Sequence, residues 1–322
     1  MHKARPLPPE LGDTFTTADA RRYGVGRARL NAPDVDHPFR GVFARKSLDL
    51  GADDSSAAKN MRTEVIRLAR VYSRRMRPTE FFSHSTAAVL WGVPLPTLRD
   101  AYLDVSVLRP RRAPKATGLR GHSIDSNLVH VTERNGFRLT TPASTWACLG
   151  SLLAPYDLVA AGDAIICSRA SNGRTFSKAP LATLAQLHAA IDAGRRPGLQ
   201  ALRGAIGRVR PGSWSRLETW VRLILVDAGL PEPELNFDAY DAAGNFLGCL
   251  DLAYPDLKIA IEYEGQHHWS TAAQIQHDTD RLDRLAENGW RIVRLTKEHV
   301  FLDPVEVVRR VVVARAQRST TR

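Results

Sequence analysis

The sequence predicts an α/β protein whose last third is a mixed sheet flanked by helices, preceded by a small helical segment and a basic α+β middle region. Three observations carry this reading. Lys258 to Glu264 (KIAIEYE) alternates with period two, and FLGCLDLAY before it and WRIVRLT after it also have strand character. Helical patterns over Ser213 to Gly229 and roughly Thr271 to Asn288 are interleaved with these strands. Charge is divided as well: residues 1–212 hold 32 Lys and Arg against 17 Asp and Glu, whereas residues 213–322 hold 13 against 17. At 322 residues, 43% hydrophobic and 25% charged, the chain is ordinary globular material with room for more than one domain. No apolar run approaches a membrane span, and Met1-His2-Lys3-Ala4-Arg5 runs into prolines, not into an apolar signal core. Cys148, Cys167 and Cys249 are scattered through apolar stretches and read as buried thiols of a reducing compartment, so a cytoplasmic location is expected.

Along the basic part, Thr16-Thr17-Ala18-Asp19 has the form of a capped helix start, and Gly24 ends that helix. Val25 to Leu30 makes a second short helix bearing Arg27 and Arg29, and His37 to Phe43 a turn into a short strand. Helix, turn, helix and strand over residues 12–46 resemble the winged-helix segment of the AbiEi-type antitoxin proteins. The resemblance implies that the second helix, with Arg27 and Arg29, approaches DNA. Residues 47–57 are a polar connector. From about Ser56 to Met76 a helix sets Val65, Ala69, Tyr72 and Met76 on one stripe and Arg67, Arg70, Arg74 and Arg77 on another. Phe81 to Pro96 reads as a buried short helix ended by Gly92 and prolines, with His84 a structural residue. Tyr102 to Leu108 alternates as a strand and runs into the basic loop Arg109 to Lys115, where Arg111 and Arg112 are the expected phosphate contacts. Short strands at Val129 to Val131 and Phe137 to Thr140, and helices over Pro142 to Leu153 and Tyr156 to Ile166, complete a middle region over 55–168. Helices near Leu181 to Ala193 and Leu199 to Val209 form a linker over 169–212.

The tail carries the chemistry. On the Lys258 to Glu264 strand, Ile259, Ile261 and Tyr263 face one way and Ala260, Glu262 and Glu264 the other. Residues two apart on a strand lie roughly 6.5–7 Å apart, near enough for two carboxylates to flank one divalent cation. Asp251 supplies a third oxygen if its segment pairs with this strand as a hairpin. Carboxylates near a core are costly unless paired or bound to metal, and an oxygen-only set suits Mg²⁺ or Mn²⁺. An exposed strand face would also show Glu262-x-Glu264, but here Gly265-Gln266-His267-His268 follows at once and adds two proton-transfer groups. A helix with Asp278, Arg281 and Leu285 on one face comes next, ended by Gly289. Lys258 shares the carboxylate face in this reading.

The order Asp251, Glu262-x-Glu264-Gly265-x-x-His268, Asp278-x-x-Arg281-x-x-x-Leu285 and Gly289-Trp290-x-x-x-Arg294 resembles the Vsr-like branch of the PD-(D/E)XK nuclease superfamily. The opening helix, with Ser215-x-x-Glu218, is similar to that family's first acidic motif, and the resemblance covers about 213–314. It implies metal-dependent hydrolysis of a phosphodiester bond, with Asp251, Glu262 and Glu264 as metal ligands. Glu264 stands where the superfamily's name-giving motif has lysine, a departure usual in this branch that leaves the general base open. On the same reading His268 relays a proton and Glu218 completes the outer shell of the metal. The expected partner is DNA, gripped by the basic two-thirds. The other reading is a DNA-binding regulator or antitoxin-like protein with a non-catalytic nuclease fold. RNA cleavage and structure-specific nicking stay open, as do a homodimer and a partner protein of a toxin–antitoxin or defence system.

Overall fold

Local rules set the first elements of the computed structural model, which describes residues 5–46, 57–97, 102–168, 179–263 and 272–319. Strand β1 (Thr14–Thr16) leads into α1 (Thr17–Arg22) through a capping box: Thr16 Oγ1 accepts from Asp19 N at 3.2 Å, and Asp19 Oδ2 accepts from Thr16 N at 2.9 Å. After α2 (Arg27–Leu30), the turn and strand expected at His37 to Phe43 are a hairpin that starts earlier. Its strands are β2 (Val35–Phe39) and β3 (Val42–Arg45), reversed at Gly41, whose φ of 78° suits glycine. These strands form an antiparallel sheet of order β1-β3-β2.

The helix expected from Ser56 runs as α3 (Ala57–Ser73) and buries Val65, Ala69 and Tyr72 against Phe82, Leu103 and Leu139. The apolar run from Phe81 is not all helix. Strand β4 (Glu80–Phe82) precedes α4 (His84–Trp91), because Phe81 and Phe82 fill the centre of a sheet whose neighbours are contributed from far along the chain. That sheet adds β5 (Leu103–Leu108), β6 (Leu119–Ile124), β7 (Val131–Arg134) and β8 (Phe137–Thr140) in the order β6-β5-β4-β8-β7, with two parallel and two antiparallel pairings. Helix α5 (Pro142–Leu149) follows and is almost wholly buried.

The chain forms two compact units, Met1–Ser151 with His188–Leu199, and Leu152–Leu187 with Gln200–Arg322. Helix α6 (Pro155–Ile166) therefore groups with the tail, not with the middle region expected over 55–168. Helices α7 (Leu184–Asp192) and α8 (Leu199–Ile206) occupy the stretch read as a linker. In the second unit α9 (Arg216–Asp227) is followed by β9 (Glu234–Tyr240), β10 (Phe246–Tyr254) and β11 (Ile259–Tyr263). Then come α10 (Ala272–Glu287), β12 (Arg291–Leu295), α11 (Lys297–Phe301) and α12 (Pro304–Ser319). The sheet order is β12-β11-β10-β9, parallel between β11 and β12 and antiparallel elsewhere. Alternation along β11 divides the core as period two requires. Ile259 and Ile261 pack with Val221 and Leu225 of α9 and Val307 and Val311 of α12, while Ala260 packs with Leu285 of α10 and Trp290. This is a mixed sheet with helices on both faces. No described helix is long and apolar enough to cross a membrane.

Candidate functional site

The hairpin that brings Asp251 to Glu262 forms. The β10–β11 register pairs Leu252 with Ile261 and Ala253 with Ala260, so one further step sets Asp251 opposite Glu262 on the same face. Asp251 Oδ2 accepts the amide of Tyr263 at 3.0 Å, which fixes its carboxylate along the edge of β11. Glu262, buried, is met by Arg281 of α10, whose Nη2 donates to Oε2 at 2.9 Å. Arg281 reaches it by crossing β10 at Gly248. A Cβ there would lie 3.1 Å from Arg281 Cδ, so the missing side chain is what admits the arginine stem.

Glu218 arrives from the other side. Ser215 caps α9 by accepting the amide of Glu218 at 3.1 Å, and Glu218 Oε2 accepts from Trp214 N and Asn236 Nδ2, both at 2.7 Å. Asn236 sits at φ 47° on β9 and also donates to Gly212 O at 2.7 Å, so it ties the start of α9 to the sheet. Sequence reasoning missed Asn236; an asparagine inside a strand pattern was the available signal.

Burial raises all three carboxylates. Asp251 is pushed up to about 6, with the Tyr263 amide opposing the shift and the charge of Glu218 adding to it. Glu262 is raised by burial against the pull of Arg281, with Asp251 again adding to the rise. Glu218 is raised by burial against the hydrogen bonds from Trp214 and Asn236. Burial thus opposes ionisation at all three, and Arg281 is the cation that counters it at Asp251 and Glu262. Among the described residues no group of three or more acidic, histidine or cysteine side chains is placed to hold a metal ion. Glu264 and His268 lie outside the described residues, as does the side chain of Asp278. Lys258 does not join the carboxylates. It occupies a left-handed turn position (φ 46°) before β11, and its Nζ donates to Asn288 O at 3.1 Å.

The expected DNA contacts divide. Arg29 is held by Asp34 through paired bonds of 2.9 and 2.6 Å, an internal clamp of the first sheet's loop. Arg27 is exposed. Arg111 and Arg112 are exposed and line a groove of about 470 Å³ together with Arg75, Arg77 and Lys115. The acid on the groove, Glu80, is buried and already taken by Tyr72 Oη at 3.0 Å and Arg77 N at 3.1 Å. Five cations on one groove in the first unit suit a polyanion.

No family model matches the chain. Two proteins of Mycobacterium tuberculosis, from strains CDC 1551 / Oshkosh and H37Rv and both described as uncharacterized, are each 32% identical to it over 118 residues. The match takes in 37% of this chain and 43% of each relative, so the chain spans less than half the length of the relatives it matches.

Proposed function

We propose that the chain is a divalent-metal-dependent DNA endonuclease, with a Vsr-like PD-(D/E)XK tail over about 213–314 and a basic N-terminal part that holds DNA. The observation that carries the reading is the pair Asp251 and Glu262, set opposite each other on neighbouring strands and kept from easy ionisation by burial. Burying two facing carboxylates costs stability that Arg281 at Glu262 and the Tyr263 amide at Asp251 offset only in part, and a cation between them would offset the rest. Asp251, Glu262 and Glu264 are the residues that would hold the ion. A cation there supplies Lewis-acid stabilisation of the charge that builds on the phosphate and lowers the pKa of a water. Arg281 orients Glu262 and Glu218 anchors α9 beside Asp251, while His268 is the residue for proton transfer. The winged-helix-like head over 12–46, through Arg27, and the groove carrying Arg111 and Arg112 supply the attraction to DNA. A cytoplasmic place belongs to the same reading.

The test is cleavage of supercoiled plasmid by the purified full chain with Mg²⁺ or Mn²⁺, beside EDTA and the variant Glu262→Ala/Glu264→Ala. Metal-dependent nicking that the variant lacks is the expected result. A second reading, the DNA-binding regulator with a non-catalytic nuclease fold, is favoured by one contact: Arg281 already gives Glu262 an internal positive partner. Salt-sensitive plasmid binding with no cleavage in any ion would select it.

The basic groove has its own expected result. Arg111→Ala/Arg112→Ala weakens binding of unrelated duplexes alike and makes the slope of log affinity against log salt shallower by about 2, near one unit per lost phosphate contact. Filter binding from low to moderate salt measures it, and an unchanged slope would remove these residues from the interface.

A further inference from the structure

A second polar cavity lies in the first unit, apart from both the carboxylates and the basic groove. It encloses about 350 Å³ and is lined by His84, His122, Cys148, Arg195 and Arg196, with Leu128 among its apolar walls. That volume falls in the usual range for small-ligand pockets. Its polar lining is assembled with care. His84 adopts φ 48°, a left-handed conformation that is uncommon for a residue with a side chain. Its Nδ1 lies 2.8 Å from Ser83 Oγ, which in turn lies 2.6 Å from Ser106 Oγ, and both serines are fully buried. The His84 ring stacks on His122 with centroids 3.9 Å apart, and His122 Nε2 lies 3.0 Å from Oδ1 of the buried Asp104. One nitrogen of each imidazole is thereby fixed, and among the described residues the other, Nε2 of His84 and Nδ1 of His122, makes no hydrogen bond.

Arg195 and Arg196 bring charge to this cavity that no carboxylate among the described residues answers. Arg196 Nη2 donates to the carbonyls of Leu128 and Ala190 at 2.8 and 2.9 Å, while its Nε is buried without a partner. Among the described residues no carboxylate lies within ion-pair distance of Arg196 or Arg195. Of the nearby acids, Asp125 pairs with Arg109 at 3.2 Å, and Asp104 meets His122 and Arg120 through Oδ1 while its Oδ2 is buried without a hydrogen bond. Cys148 offers no negative charge at neutral pH, because burial pushes its thiol up to about 11. Burial also pushes His84 down to about 4, so its ring is a neutral hydrogen-bonding group there. A guanidinium held only by neutral carbonyls, facing a cavity with two imidazole nitrogens to spare, lacks one thing, an anion.

We propose that this cavity binds a small organic anion, whose carboxylate or phosphate group pairs with Arg196 and Arg195 and is met by the imidazoles of His84 and His122, its body resting on the apolar wall at Leu128. The site is independent of the nuclease reading and would stand if that reading failed.

Calorimetric titration of the full chain in EDTA, with benzoate and phenyl phosphate as probes and phenol as the neutral control, tests it. One of the two anions is expected to bind saturably at one site per chain, and phenol not at all. Arg196→Met should weaken binding by about tenfold or more, the loss for a hydrogen bond to a charged group, with a smaller loss for Arg195→Ala. Arg111→Ala/Arg112→Ala should leave it unchanged, which separates the cavity from the basic groove. If Arg196→Met does not fold, the ring C–H resonances of His84 and His122 in the unaltered chain replace it, and the bound anion must shift both. No saturable binding by either anion, equal binding in Arg195→Ala and Arg196→Met, or histidine resonances that do not move would each overturn the site and leave Arg196 as a clamp on two carbonyls.

Discussion

Asp251→Asn is expected to abolish metal-dependent cleavage while making the metal-free protein more stable at neutral pH. On the proposed function, the loss of activity, by about three orders of magnitude, follows from removing a charge that would hold the cation, since a Lewis acid supplies several kcal/mol to the transition state. The gain in stability follows from burial. Asp251 titrates near 6 in the fold against 3.8 for the free group, so between those values the folded chain binds more protons than the unfolded one. Stability contributed at this position therefore falls as pH rises through that window, and above it the ionised carboxylate costs about 2–3 kcal/mol. Asparagine keeps an oxygen for the Tyr263 amide and carries no charge to bury. Urea denaturation in EDTA should show the variant more stable at pH 7.5 and equal to the parent at pH 4. Adding Mg²⁺ should then stabilise the parent and leave the variant unmoved, because only the parent has a site whose occupancy favours the fold. A variant no more stable at pH 7.5 would refute the burial cost, and one that still cleaves would remove Asp251 from the ligand set.

What was readable in the sequence is what short-range pattern encodes. Period two in KIAIEYE located β11 and the apolar run FLGCLDLAY β10, and the loop between them is short enough for the antiparallel pairing that sets Asp251 opposite Glu262. The helical pattern over Ser213 to Gly229 located α9, which starts at Arg216 because Ser215 caps it by accepting the amide of Glu218. The rest depended on partners far along the chain. Phe81 and Phe82 look like the head of an apolar helix until β5 and β8 arrive to pair with them. Arg29 reads as a free cation on a short helix until Asp34 takes both its amino groups. The cavity of His84, His122 and Arg196 has no sequence spacing at all, since it is built from a helix start, a strand and a turn in three separate stretches. Asp157 and Asp163 carry no sign of burial in the sequence of α6, yet both are buried acids answered by arginines of α9.

That last pairing carries the largest stability effect expected in the chain. Asp163→Ala should cost about 3–5 kcal/mol, the usual penalty for stranding one member of a buried ion pair. Asp163 is 1% exposed and accepts from Arg222 Nη2 at 2.9 Å, Thr219 Oγ1 at 2.8 Å and Arg210 N at 2.7 Å. Arg222 is 2% exposed, and without Asp163 its charge would be left to Glu232, bound at 2.9 Å but partly open to water. A turn earlier on α9, Asp157 accepts from Arg216 Nε at 2.6 Å and Trp220 Nε1 at 2.8 Å, so two acids of α6 align α9 by charge where apolar packing alone would let it slide. Removing both charges together is a different change. Asp163→Leu/Arg222→Met leaves no stranded ion and should recover most of the lost stability, so the coupling energy in a double-mutant cycle should be of the same order as the single loss. The second readout is functional. α9 delivers Glu218 to its bonds with Trp214 and Asn236 beside Asp251, and charge-free packing would hold the helix without fixing its register. The double variant should therefore fold nearly as well as the parent and cleave more slowly, which separates the role of these ions in placing the site from their role in stability.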